Sequence, residues 1–322
     1  FGALANLPVG DPLLRGVVAR FFLLPHLLLC AAAGLAVTWT RHRATWLAPL
    51  GVLLLGVTGA PKHDGAAVHR YGEWLLAQSD DTLVLTKGDL IGNATRALQA
   101  CEGVHRELRV VDQELLTFAW YPARLTKTFP ELKFPGERWH PREPGAFTLD
   151  QWLAANASRP IVVCGDLKEG DPTTWQRLPW GLCERLAPPN APVDVEAWFT
   201  EASRRLPDVT QTSATAPRGS WEELVRRDAW QAKARLGLWA LTVGMARGDD
   251  VTWLHRAHAL LVEASRDEVP QAAVFKNLGI AAGRLAPKEP ALQDEMKRAF
   301  RRYLELAPPG DPELPTIRAL AQ

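Results

Sequence analysis

The strongest constraint on the fold is an almost wholly apolar stretch from 17 to 60. It holds two runs, 21–39 and 44–60, joined by the basic turn Thr40, Arg41, His42 and Arg43. The first run carries one ionisable residue, His26, and its Pro25 is tolerated in a membrane helix. A hydrocarbon core of roughly 30 Å needs about 20 apolar residues. The runs therefore predict a transmembrane helical hairpin over 17–60, with Trp39 at an interface. The competing reading is a buried helical hairpin in a water-soluble core. Short basic loops face the cytoplasm, so 1–16 reads as a non-cytoplasmic loop. Everything after Pro61 falls on the same, non-cytoplasmic side. The chain opens on Phe1 without a signal-peptide pattern, which predicts a piece of a larger membrane protein.

The rest of the chain reads as soluble and divides in two. Over 61–215, strand and helix signals alternate. Strands are expected at 82–86, 108–111 and 161–164, with helices at 93–101 and 115–127. Alternation of this kind predicts a parallel α/β sheet. In such sheets ligands sit beyond the carboxyl ends of the strands. Those ends carry Lys87, Gly88 and Asp89, then Asp112, Gln113 and Glu114, then Gly165 and Asp166. They form a candidate pocket, although polar residues also follow strands simply because loops begin there. After a Thr-, Ser- and Pro-rich linker at 211–219, a capping box of Ser220 and Glu223 opens a helical region over 216–322. Helices are expected at 221–247, 250–265, 270–285 and 290–306, followed by a short last one. Asn277 to Ala282, and Ala299, Phe300, Tyr303, Leu304 and Pro308, look like the two helices of one degenerate tetratricopeptide repeat. The fold class expected is thus membrane-anchored α/β plus all-α: two transmembrane helices, a parallel α/β domain and a TPR-like helical domain.

With 37 basic and 36 acidic residues the charge is nearly balanced, which argues against a dedicated nucleic-acid binder. The 13 Trp residues are many for this length and cluster in Pro- and Gly-rich stretches. Exposed indoles pack on sugar rings or partner proteins; buried ones are core. Asn93 and Asn156 begin N-glycosylation tripeptides. Cys164 and Cys183 are the preferred disulfide pair in an oxidising compartment, with buried free thiols as the alternative. His255 and His258 lie three apart with only Glu263 nearby, and read as a solvated helix face, so no metal site is expected. Walker, GxSxG, HExxH and CxxC patterns are absent.

Several motifs together resemble the lumenal part of the transmembrane protein 260 family. They are Gly88, Asp89, Leu90, Ile91, Gly92, Asn93, Ala94; Cys101, Glu102, Gly103, Val104; Val111, Asp112, Gln113, Glu114; and Trp120, Tyr121. Phe134, Pro135, Gly136, Arg138, Trp139 continue the series, as do Glu169 to Pro172, Pro179, Trp180, Gly181, Cys183 and Trp230, Gln231, Ala232. The order holds from Asn6, Leu7 and Pro8 to near the end. The resemblance implies a protein O-mannosyltransferase of the polytopic type C glycosyltransferase fold. Its donor would be a lipid-linked (dolichyl-phosphate) mannose. Its acceptors would be Ser or Thr of proteins, IPT-domain receptors in animals. The implied setting is the endoplasmic reticulum membrane with this region lumenal, or a bacterial inner membrane with it periplasmic. In that fold the catalytic acid lies in an early non-cytoplasmic loop, and no catalytic residue is carried over to this chain. This region needs no cofactor of its own and would position the acceptor. The substrate-binding candidates are Asp89, Asn93, Asp112, Glu114, Trp120, Arg138 and Trp139. The alternative is a non-catalytic, membrane-anchored helical-repeat binding module. A terminal repeat rich in Ala and Pro departs from the animal pattern and leaves the organism open.

Overall fold

The computed structural model describes residues 65–322, apart from 79, 80, 169, 213–215, 217, 218 and 268. Among them, helix α1 (Gly65–Leu76) leads into strand β1 (Leu83–Thr86), helix α2 (Asp89–Ala97) and a π-helical turn (Leu98–Glu102). Strand β2 (Arg109–Asp112), a 3-10 turn (Leu115–Thr117) and helices α3 (Trp120–Thr128) and α4 (Leu149–Ala155) follow. Then come β3 (Ile161–Cys164), β4 (Gln176–Trp180), β5 (Cys183–Ala187) and helix α5 (Val195–Arg204). The chain ends in α6 (Trp221–Ala246), α7 (Val251–Ala264), α8 (Ala272–Leu285), α9 (Leu292–Leu306) and α10 (Leu314–Leu320). Ala66–Thr212 and Val225–Gln322 form one compact unit.

The strands make a five-stranded sheet in the order β2-β1-β3-β5-β4. β1 is parallel to β2 and β3, whereas β5 is antiparallel to both β3 and β4. This corrects the expected parallel sheet. The reason is local: Gly181 and Leu182 close a two-residue hairpin between β4 and β5, with φ +61° at Gly181 alone. That pattern fits a type II′ turn, which wants glycine at its first central position. A Cβ there would lie 2.6 Å from the Arg205 carbonyl oxygen. The membrane-anchored part of the expected fold class is corrected too. Among the described residues no helix is long and apolar enough to cross a membrane. The expected spans at 17–60, and the loop at 1–16, lie outside the described residues.

Both faces of the sheet are buried, so β1 and β3 read as unbroken apolar runs. The pleat splits them. Leu83, Leu85, Ile161 and Val163 join Trp139, Phe147, Trp152 and Trp175 on one side. Val84, Val162 and Cys164 join Tyr71, Leu75, Ile91, Ala202, Val225 and Leu236, from α1, α2, α5 and α6, on the other. The indoles of this region are therefore mainly core. Side chains set several of the helix starts. Thr148 and Gln151 form a capping box for α4, and Asp194 and Asp250 cap α5 and α7. Ser220 Oγ accepts from Glu223 N at 3.2 Å at the start of α6. Leu254, Ala257, Leu261, Leu278 and Ala281 fill the core of the helical part. Gly279 lets α8 approach α9, since a Cβ there would overlap the Phe300 ring.

Candidate functional site

The strand order reverses at β1, because β2 lies on one side of it and β3 on the other. Open α/β sheets bind ligands at the carboxyl-end crevice of such a switch point. Here the chain fills that crevice itself. A Cβ on Gly165 would overlap the Lys87 carbonyl oxygen, so only glycine allows the two strand ends to meet. Gly165 (φ +84°) and Asp166 (φ +70°) then turn the backbone left-handed. The buried Gln113 side chain ties the turn down. Its Nε2 donates to Asp166 O at 2.9 Å, and its Oε1 accepts from Lys168 N at 3.0 Å. Lys87 Nζ donates to Leu167 O at 3.2 Å, and Lys168 pairs with Glu114.

The open space lies beside the plug, toward α1 and α6. It is a cavity of about 360 Å³ lined by Tyr71, Asp166, Arg177, Glu184, Asp228, Gln231 and Arg235, among others. Arg177 bridges Asp166 Oδ1 (2.6 Å) and Glu184 Oε2 (2.7 Å). Burial pulls the Asp166 carboxyl upward, but the Leu167 N–H and the Arg177 guanidinium outweigh it and hold the group below its ordinary range. Across the cavity Tyr71 Oη donates to Asp228 Oδ2 at 2.6 Å. Burial pushes both groups above their ordinary pKa values. Arg235 Nη2 donates to Leu182 O at 2.6 Å, which holds the hairpin turn against α6. Carboxylates thus alternate with guanidinium, amide and phenol groups around one cavity. Such a lining suits a ligand rich in hydroxyl groups, each of which both donates and accepts. Gln231 and Arg235 also line a second groove of about 190 Å³ with Leu238, Gln271, Val274 and Asn277.

Of the residues singled out from sequence, Gly165, Asp166 and Cys183 line this cavity, whereas the substrate-binding candidates do not. Asp89 and Asn93 are exposed on α2, and Asp89 stands in its first turn. Asp112 is engaged: Oδ1 accepts from Glu114 N at 2.9 Å, and Oδ2 pairs with Arg96 at 3.1 Å. Glu114 is exposed and pairs with Lys168. Trp120 is 53% exposed beside Phe118 at 54%. Arg138 is exposed and pairs with Glu143. Trp139 is a core residue, and its Nε1 donates to Asp171 Oδ2 at 2.6 Å. As a glycan attachment point Asn156 is corrected. It is 2% exposed, and both hydrogens of its amide are used, by Lys133 O and Trp152 O, each at 2.9 Å. Cys164 and Cys183 are joined by a disulfide, and Cys183 lines the cavity. His255 pairs with Glu289 at 2.8 Å and His258 with Glu295 at 3.2 Å. Sequence reasoning misses Tyr71, Arg177, Glu184, Asp228, Gln231 and Arg235. For three of them a weak signal exists: polar residues at 228, 231 and 235 are spaced three and four apart and so share one face of α6.

No family model matches the chain, and no solved structure matches it. Two relatives do. Protein O-mannosyl-transferase TMEM260 of Mus musculus is 30% identical over 258 residues, covering 72% of this chain and 36% of that protein. The tmem260 protein of the same description from Dictyostelium discoideum is 28% identical over 221 residues, 58% of this chain and 27% of its own length. The chain spans about a third of the length of the curated relatives it matches. The chain resembles part of the TMEM260 protein O-mannosyltransferases.

Proposed function

We propose that the chain is part of a protein O-mannosyltransferase and that its described region holds the acceptor polypeptide. The observation that carries this reading is the similarity over 258 residues to a protein of that name. The geometry adds support. Gln231 and Arg235 belong both to the polar strand-end cavity and to the groove along α6 and α8, so an extended acceptor can lie in one while its Ser or Thr approaches the other. In this reading the donor is a lipid-linked mannose, and the transfer chemistry belongs to residues outside the described region. The compartment is oxidising, either the endoplasmic reticulum lumen or a bacterial periplasm, consistent with the Cys164–Cys183 bridge.

The test uses the complete transferase carrying Gln231→Trp, which fills the junction of cavity and groove. The KM for a folded acceptor should rise about tenfold or more with kcat little changed, the signature of lost uniform binding. An unaltered KM would take this surface out of acceptor recognition.

A further inference from the structure

A separate cleft of about 590 Å³ opens along the β4–β5 hairpin and α5. Its walls are apolar and aromatic, with Trp175, Trp180, Trp198 and Pro192 among them. Trp180 and Trp198 stand with ring centroids 4.9 Å apart. Two arginines lie over this pair, and they differ in one respect. Arg205, 4.5 Å over Trp180, spends its donors on the protein: Nε on Glu201 Oε1 at 2.9 Å and Nη1 on Ala77 O at 2.5 Å. Arg185 sits 5.4 Å from the Trp180 centroid and 5.5 Å from that of Trp198. Its side chain makes no hydrogen bond and no ion pair among the described residues.

A guanidinium stacked on indoles uses its faces, whereas its N–H donors point outward in its own plane and stay free to fork onto two oxygens. The acids of the cleft do not serve it. Asp194 caps α5, accepting from Glu196 N and Ala197 N, and Glu201 is shared by Arg204 and Arg205. Burial and the neighbouring Arg205 charge both lower the Arg185 pKa. Arg159 adds to the surplus of donors. Its Nε and Nη1 are buried without hydrogen bonds, and its acid neighbours, Asp81 and Glu131, stand at 4.0 and 3.9 Å.

We propose that this cleft is a binding site for an oxyanion carried on an apolar or aromatic body, with Arg185 as its anchor. The oxyanion seats in the fork of Arg185, and the body lies against Trp175, Trp198 and Pro192. Carboxylate and phosphate monoester share this chemistry. The site is distinct from the strand-end cavity and does not depend on the acceptor reading.

Isothermal titration of the full chain with phenyl phosphate and, separately, with benzoate tests the proposal. Saturable binding is expected for at least one probe, and the tighter one names the source of the oxyanion. Arg185→Gln should weaken it about tenfold or more, the size of one lost charge-assisted fork. Arg185→Lys, which keeps the charge without the fork, should fall between the two. The exposed Arg204→Gln should bind as the wild type. Should Arg185→Gln fail to fold, the Nε–H resonance of Arg185 in the wild type decides the matter, because it must move on titration with whichever probe binds. Absence of saturable binding by both probes, equal binding by wild type and Arg185→Gln, or a stationary Nε–H resonance would each overturn the assignment.

Discussion

The two faces of the sheet are covered in different ways. Helices α1, α2, α5 and α6 cover one, and their backbones satisfy themselves through i to i−4 hydrogen bonds. Short helices and long irregular segments cover the other, and irregular backbone must find its partners elsewhere. It finds them in a few buried or half-buried side chains. Asp171 Oδ2 accepts from Trp139 Nε1 at 2.6 Å and from Leu149 N at 2.5 Å. Asn156 accepts from Lys133 N at 3.1 Å besides its two donations. Asp150 holds the Thr173 hydroxyl at 2.5 Å and the Thr174 N–H at 3.2 Å. On the helical face apolar stripes suffice; on the irregular face polar pins carry much of the specificity.

The largest effect that would sharpen this contrast is Trp152→Ala, at a 0% exposed core position of the irregular face. It should cost about 3–5 kcal/mol, the usual range for emptying a buried aromatic site. Asp171→Ala comes next. It removes no apolar surface yet orphans two buried donors, so urea unfolding should show a loss of about 2–4 kcal/mol. A loss below about 1 kcal/mol would mean that the irregular face is not pinned as described.

The third prediction concerns Asp228 on the helical side. Burial raises its carboxyl above 3.8, the value it has when unfolded, and the Tyr71 hydrogen bond offsets this only in part. A raised carboxyl favours the fold below its unfolded pKa, and that contribution disappears as pH climbs through the folded value. Wild type should therefore lose stability on going from about pH 3.8 toward neutrality at this site, and Asp228→Asn, which cannot ionise, should lose less. Parallel pH profiles of urea midpoints for the two proteins would contradict it. The smallest effect is Arg138→Ala, where an exposed pair with Glu143 is removed. Surface pairs are worth about 0–1 kcal/mol, so the midpoint should hardly move.

Much of the element order is legible in the sequence where patterning is strong. The β-prone run at 161–164 is β3 itself, and α6 to α9 begin and end within two residues of their expected bounds. Apolar stripes and caps at Asp250 and Ser220 mark these elements. The antiparallel hairpin is not legible, because Pro179, Arg177 and Glu184 hide two strands that lack an apolar run. β4 is an edge strand, where proline is tolerated. Without it a mixed sheet reads as a parallel one. The same gap hides the cavity, since Arg177 and Glu184 stand on that hairpin while Asp228, Gln231 and Arg235 come from α6. Polar residues at strand ends are visible, but whether Gln113 fills a crevice or lines it depends on the close approach at Gly165, which spacing does not encode. The abundance of tryptophan is equally visible, and burial rather than abundance decides its use.

The bond between Cys164 and Cys183 ties the central strand to the hairpin across the loop that carries Gly165, Asp166 and Arg177. A protease cut anywhere from 165 to 182 would therefore release nothing. The nicked chain would migrate as one species until a reductant separated it into two. A single cut in this segment is thereby made survivable, because the disulfide keeps the two fragments in one molecule.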